Sequence, residues 1–183
     1  MSSLLAYRSM LYEAPFTTAP PAEHETPAPL EITVLFTGSS SNGSSSKDVR
    51  YTLEALRKAA QLALGLHAQI RLVVPQVVPY PLPLTSPPVM LEFTERRFRV
   101  IAAQQAAANQ PIDMRVEIYL CRDTDQMLDQ ALKPKSMVIF GGAKRWWPTA
   151  EQRLARRLRR NGHEVIFVPC VPNKNIKEEL IYA

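Results

Sequence analysis

The stretch EITVLFTGSSSNGSSSKDVRYTLEALRKAAQLALGLHAQIRLVV, residues 31–74, decides the fold. Its opening, Glu31 to Phe36, is a short β-branched and apolar run that stops at Thr37-Gly38 and a serine-glycine loop, the pattern of a buried strand entering a loop. From Ser46 the spacing of Val49, Leu53, Leu56, Ala60 and Ala63 follows the helical period. Ser45 with Asp48 makes a capping-box pattern, and Gly65 is a natural stop. Ala68 to Val74 then reads as a second strand, and the handedness of such crossovers makes it parallel to the first.

Downstream, a proline-rich loop from Pro75 to Pro88 leads to a helix expected from about Val89 to Asn109. Phe93, Val100, Ile101 and Ala108 form its apolar stripe, and Pro111 breaks it. Met114 to Leu120 alternates as a half-buried strand does. Asp123 or Thr124 caps a short helix through Leu132, ended by Lys133-Pro134. Ser136 to Phe140 is a fourth strand, and Gly141-Gly142 opens a turn. Thr149 with Gln152 caps a basic helix, Ala150 to Arg160, which Asn161-Gly162 closes, and Glu164 to Val168 is the fifth strand.

Upstream, residues 1–30 carry prolines at 15, 20, 21, 27 and 29 with no sustained period, which excludes a packed helix or a central strand. A flexible or surface-draped arm is expected. Its Leu4, Leu5, Tyr7, Met10, Leu11 and Tyr12 are apolar enough to dock on a partner subunit, a frayed terminus being the simpler reading. Strands alternating with helices predict a doubly wound α/β domain over residues 31–172. It has a five-stranded, mainly parallel sheet with helices on both faces, and residues 173–183 form a tail. Ligands of such sheets sit at the carboxyl ends of the strands, so the loops after the first and fourth strands become the candidate site.

This layout resembles the universal stress protein family over about residues 31–170: a small-residue loop after the first strand, a proline-rich exit from the second, a late strand running into glycines. The resemblance implies the adenine-nucleotide α-hydrolase-like fold and a homodimer. Nucleotide-binding members close the first strand with a carboxylate, where this chain has Thr37. They carry a glycine, two residues, a second glycine, nine residues, then glycine with serine or threonine. Gly141 matches the first glycine, but Lys144 and Leu154 stand at the other two. A gapped match puts Thr149 in the phosphate-facing hydroxyl place, with Pro148, which has no N–H, before it. Trp146 and Trp147 fill a turn that binders keep bare. The resemblance implies the fold and the dimer more strongly than it implies ATP.

Gly38 to Lys47 supplies N–H groups and hydroxyls at a helix N-terminus, as phosphate cradles do, but Ser44 and Ser45 follow Gly43 where a Walker A loop needs lysine and a hydroxyl residue. A polar loop without a ligand accounts for it equally well. The Lys144 to Arg160 segment joins Lys144, Arg145, Trp146 and Trp147 to Arg153, Arg156, Arg157, Arg159 and Arg160, the ingredients of single-strand nucleic-acid binding. A solvated arginine face with Leu154 and Leu158 turned inward is the simpler reading. His24, His67 and His163 lie in separate elements without ligand spacing, which argues against a metal site. Asp123 and Asp125 are explained by a cap and a surface carboxylate, and no catalytic triad order stands out.

At 183 residues and 46% hydrophobic, the chain can bury a core without staples, and Cys121 and Cys170 form no disulfide or zinc pattern. No apolar run approaches the ~20 residues needed to span a bilayer, so no membrane role is expected. The N-terminus lacks a secretory pattern, which together with the cysteine usage predicts the cytoplasm. The net charge of +5 is concentrated between Lys144 and Arg160.

The reading is a homodimeric regulatory or stress-response binding module rather than an enzyme. It has an unidentified protein partner, no firmly implied cofactor, and nucleotide binding weakened or lost. An uncovered last strand, Glu164 to Val168, would be an edge that needs pairing. The resemblance implies that it pairs with its twin, and tail residues Ile176, Leu180 and Ile181 add to that contact. The alternatives are ATP binding through Thr37, Gly38, Ser39, Gly141, Gly142 and Thr149, with slow hydrolysis, and polyanion binding by the basic face.

Overall fold

The alternating strand and helix segments assemble as a doubly wound α/β fold. The structure, a computed structural model, describes residues 5–12, 30–38, 46–85, 91–108, 114–144 and 149–170. In chain order the elements are β1 (Leu5–Tyr12), β2 (Glu31–Leu35), α1 (Ser46–Leu66), β3 (Gln69–Val77), α2 (Leu91–Ala108), β4 (Met114–Cys121), α3 (Thr124–Ala131), β5 (Met137–Ala143), α4 (Ala150–Arg160) and β6 (Glu164–Cys170). The sheet order is β1-β4-β3-β2-β5-β6, and β2 to β6 form a parallel set. The order reverses between β2 and β5, whose Ile32, Thr33 and Val34 stand opposite Met137, Val138 and Ile139.

The expected arm needs correction. Residues 5–12 form an edge strand, antiparallel to β4, with Tyr7 opposite Ile118 and Arg8 opposite Glu117. Every proline of the first 30 residues lies outside this stretch, so nothing prevents its backbone from pairing. Residues 13–29 and the tail lie outside the described residues, as does Ser45 of the expected capping box.

α1 and α2 cover one face. Ala55, Leu56, Ala59, Ala60 and Ala63 of α1 pack with Phe98 and Ile101 of α2 over Ile32, Val34, Ile70, Leu72 and Ile118. Phe36 and Phe98 meet edge to face at 4.9 Å. The α2 stripe is rotated from the expected one: Phe98 and Ile101 face inward, while Phe93 and Val100 are exposed. α3 and α4 cover the other face, where Met127, Leu128, Ala155 and Leu158 pack on Leu35, Val73, Val138 and Phe140. Each buried Val, Leu, Ile, Phe or Met among these contributes about 1.5–3 kcal/mol, and each alanine less, so the two clusters hold the layers together.

Helix ends follow local chemistry. Asp123 accepts from Gln126 N–H at the start of α3, and Thr149 with Gln152 forms the expected capping box on α4. α1 runs through Gly65. His67 takes the left-handed conformation instead (φ 50°), and Ala68 N–H donates to Ala63 carbonyl at 3.0 Å, a Schellman closure.

Three strands run past their expected ends. β3 continues through Pro75, β5 contains Gly141 and Gly142, and β6 contains Pro169. Val73 carbonyl accepts from Phe36 N–H, so Pro75, two residues on, turns its nitrogen toward the side where β2 has already ended. The missing donor costs no ladder bond there.

Candidate functional site

At the switch point, the carboxyl ends of β2 and β3 and the first turns of α3 and α4 enclose a crevice of about 410 Å³. Leu35, Phe36, Thr37 and Gly38 form its floor, and Pro75 and Val77 form one wall. Thr124, Asp125, Ala150, Glu151 and Leu154 close the helix side. The size and the position, outside the strand ends at a switch point, are those of a small-ligand site.

Beyond the Pro75 and Val77 wall, Arg122 holds the chain that leaves β3. Its guanidinium donates to the carbonyls of Val78 (2.6 Å), Pro79 (3.0 Å) and Leu82, and stacks under the Tyr80 ring at 4.1 Å. The proline-rich exit of β3 is thereby clamped to the end of β4.

Thr37 and Gly141, residues 104 apart in sequence, come together here: Thr37 Oγ1 donates to Gly141 carbonyl at 3.3 Å. Their surroundings differ from those of a bare phosphate loop. A Cβ on Gly141 would stand 2.3 Å from the Tyr51 carbonyl oxygen, so this glycine admits the backbone of α1. A Cβ on Gly142 would meet the Phe167 ring at 2.9 Å and Glu151 Cβ at 3.2 Å, so its bareness admits the α4 layer. At Gly38 a Cβ would stand 2.4 Å from Phe36 Cζ and 2.6 Å from Asp48 Cβ. Thr149 Oγ1 accepts from Gln152 N–H at 3.3 Å as the α4 cap. Ser39, the rest of the serine-rich loop, and Arg145 to Pro148 with both tryptophans lie outside the described residues.

Among the described residues, two carboxylates line the crevice, one of them paired. Glu151 lines it, and so does Asp125, whose carboxylate receives Arg157 at 2.8 Å. Asp125, which the sequence reading takes as a surface carboxylate, stands at the crevice, and Glu151 and Val77 come in only through tertiary packing.

On the basic helix, Arg157 is spent on Asp125, with Asp129 at 3.8 Å, and Arg159 donates to Val165 carbonyl at 2.9 Å. Leu158 is buried and Leu154 half-buried, as the solvated-face reading expects. Arg153, Arg156 and Arg160 are exposed.

A second polar constellation was not foreseen. Arg115 and Glu117 are the polar positions of the alternating β4 pattern, yet β4 is buried on both faces rather than one. Arg71 Nε donates to Glu117 at 2.6 Å, and its other nitrogens donate to Tyr119 Oη (2.6 Å) and Ala131 carbonyl (3.1 Å). Tyr119 O–H donates to Glu117 at 2.7 Å. Arg115 bridges Glu117 and Glu31 at 2.9 Å each, and Lys133 reaches Glu31 at 3.3 Å. Burial works to raise the Glu117 carboxyl, but the bonds from Tyr119 and Arg71 and the charges of Arg71 and Arg115 hold it below the usual carboxylate range. Burial and the bond to Glu117 raise the Tyr119 phenol. Alternation signalled a solvent face here because charges that satisfy one another inside a sheet look, in sequence, like charges facing water.

Both cysteines are free and buried, and burial, with Asp123 nearby, pushes the Cys121 thiol up to about 11. Among the described residues no group of histidine, cysteine or carboxylate side chains could hold a metal ion, and no helix is long and apolar enough to cross a membrane. The chain matches no protein-family profile, no curated protein and no solved structure.

Proposed function

We infer that this chain is a homodimeric regulatory binding module of the universal-stress-protein kind, with the switch-point crevice as its ligand site and nucleoside triphosphate binding weakened. The observation that carries the reading is the fate of the late glycines. A phosphate needs exposed backbone N–H groups at bare residues, but Gly141 is filled by the Tyr51 carbonyl and Gly142 by Phe167.

Thr149, the hydroxyl a triphosphate would use, is committed to its helix cap. Glu151 opposes a polyanion at the mouth, while Asp125 is paired with Arg157. Apolar Leu35, Phe36, Val77 and Leu154 suit an uncharged or cationic body of roughly nucleoside size. A regulatory rather than catalytic role fits polar groups already engaged, Thr37 with Gly141 and Asp125 with Arg157.

The test is native mass spectrometry of protein purified without added nucleotide, followed by calorimetric titration with Mg-ATP and with adenosine. The reading expects no co-purified ATP and weaker binding of ATP than of adenosine. Stoichiometric ATP on the purified chain, or tighter binding of ATP, overturns it.

A further inference from the structure

The free edge of β6 has an uneven set of backbone groups. Glu164 N–H donates to Ser136 carbonyl (3.1 Å) and Lys144 N–H donates to Cys170 carbonyl (3.3 Å), so the even-numbered residues of β6 face β5. A residue's N–H and C=O point to the same side of a strand, so Val165, Phe167 and Pro169 turn theirs outward, where β6 ends the sheet. Two of the six outward positions are closed. Pro169 has no N–H, and Val165 carbonyl already accepts from Arg159. Among the described residues, Val165 N–H, Phe167 N–H and C=O, and Pro169 C=O remain without a backbone partner.

We propose that this edge pairs antiparallel with the same edge of a second copy, in the one two-fold register that places Phe167 opposite Phe167. This rests on the homodimer reading and specifies its geometry. In that register Phe167 exchanges both bonds with its twin, and Val165 N–H donates to Pro169 carbonyl in each direction. The Arg159-capped carbonyl falls opposite the proline nitrogen, so neither lacks a partner that the other could have supplied. Shifting to pair Val165 with Phe167 sets Phe167 N–H against the carbonyl that Arg159 occupies. Shifting to pair Phe167 with Pro169 leaves Phe167 carbonyl facing a nitrogen without hydrogen.

Side chains agree with the register. The half-buried Phe167 meets Phe167 on the α4 face, and Ile166 meets Val168 on the α1 face, apolar pairs at both levels. All four remaining groups are consumed, so pairing closes at two copies.

The register places Glu164, which is exposed, opposite Cys170 of the second copy, in a non-hydrogen-bonded pair whose Cα atoms lie about 4.5 Å apart. Phe167 lies about 5.5 Å from its twin, within disulfide reach. The experiment is sedimentation of the wild-type chain, then mild oxidation of Glu164→Cys, of Glu164→Cys with Cys170→Ser, and of Phe167→Cys. The expected results are a dimer, a covalent dimer in the first variant that the added serine abolishes, and a covalent dimer in the third. A dimer that neither Glu164→Cys nor Phe167→Cys cross-links overturns the register and leaves the dimer reading standing. A wild-type monomer overturns both.

Discussion

From the amino ends of β2 and β3 along β4, below the last turn of α3, Glu31, Arg71, Arg115, Glu117 and Tyr119 bond to one another. At the carboxyl ends of β2 and β3, on the same face of the sheet, Thr37, Thr124, Asp125 and Glu151 line an open crevice of about 410 Å³. Both sets of polar side chains are held by the same two layers. The first is closed, each charge matched within the fold, so its chemistry is spent on stability. The second leaves a volume between its groups, and only there can a ligand make contacts that the protein does not already make. Strong internal pairing thus separates a polar cluster that supports the fold from one available for binding.

The largest effect should come from opening the closed end. Glu117→Ala leaves Arg71 and Arg115 in a mostly buried site without their shared carboxylate. Breaking such a pair costs about 3–5 kcal/mol, and Arg115, being partly exposed, puts this site at the lower end, about 3 kcal/mol. Urea denaturation measures it, and a loss below about 1 kcal/mol would show that water satisfies the arginines and that the cluster is not closed.

Glu117→Gln sharpens the same contrast through pH. A carboxyl held below its unfolded value stabilises the fold above that value, and the contribution is lost as pH falls through the lower native value. Wild-type stability should therefore decline from the ordinary glutamate value, about pH 4.3, downward. The glutamine variant, weaker at neutral pH, should lack that component and approach the wild type in acid. Parallel stability curves for the two proteins would exclude Glu117 as the titrating group.

Gly141→Val tests whether the late glycines belong to packing or to the ligand. With the new Cβ 2.3 Å from the Tyr51 carbonyl oxygen, α1 must move, at a cost of about 1–3 kcal/mol typical of overpacked interiors. Thermal unfolding should show this loss in the ligand-free protein. Unchanged stability would return Gly141 to the list of residues kept bare for a ligand.

These glycines also show how much was legible. The five parallel strands, the four helices and the caps at Asp123 and Thr149 were readable because period and cap chemistry are local. Pro75, Gly141-Gly142 and Pro169 misled because proline and glycine signal breaks unless one knows what lies beside them. Pro75 stands past the end of β2, the glycines lie under two helices, and Pro169 is on a free edge. β1 was hidden by the prolines that follow it, since composition averaged over thirty residues obscured eight that carry none. For the candidate site, strand order pointed to Thr37 and Gly38, but the acidic rim depends on how α3 and α4 converge, which no local pattern encodes.

The smallest predicted effect addresses that rim directly. If like charge is what weakens ATP binding, replacing Glu151 by glutamine should tighten Mg-ATP while leaving adenosine unchanged, because only the phosphates sense the lost charge. For charges about 8 Å apart at an effective dielectric between those of water and the protein surface, the repulsion is about 1 kcal/mol, or roughly fivefold in affinity. It should shrink as salt is added, since the screening length near 0.15 M is about 8 Å. Titration of both ligands against both proteins at two salt concentrations separates the causes. A gain for ATP alone, larger at low salt, assigns the weakness to charge. Equal changes for ATP and adenosine would mean that Glu151 shapes the crevice, and that the packed glycines limit phosphate binding.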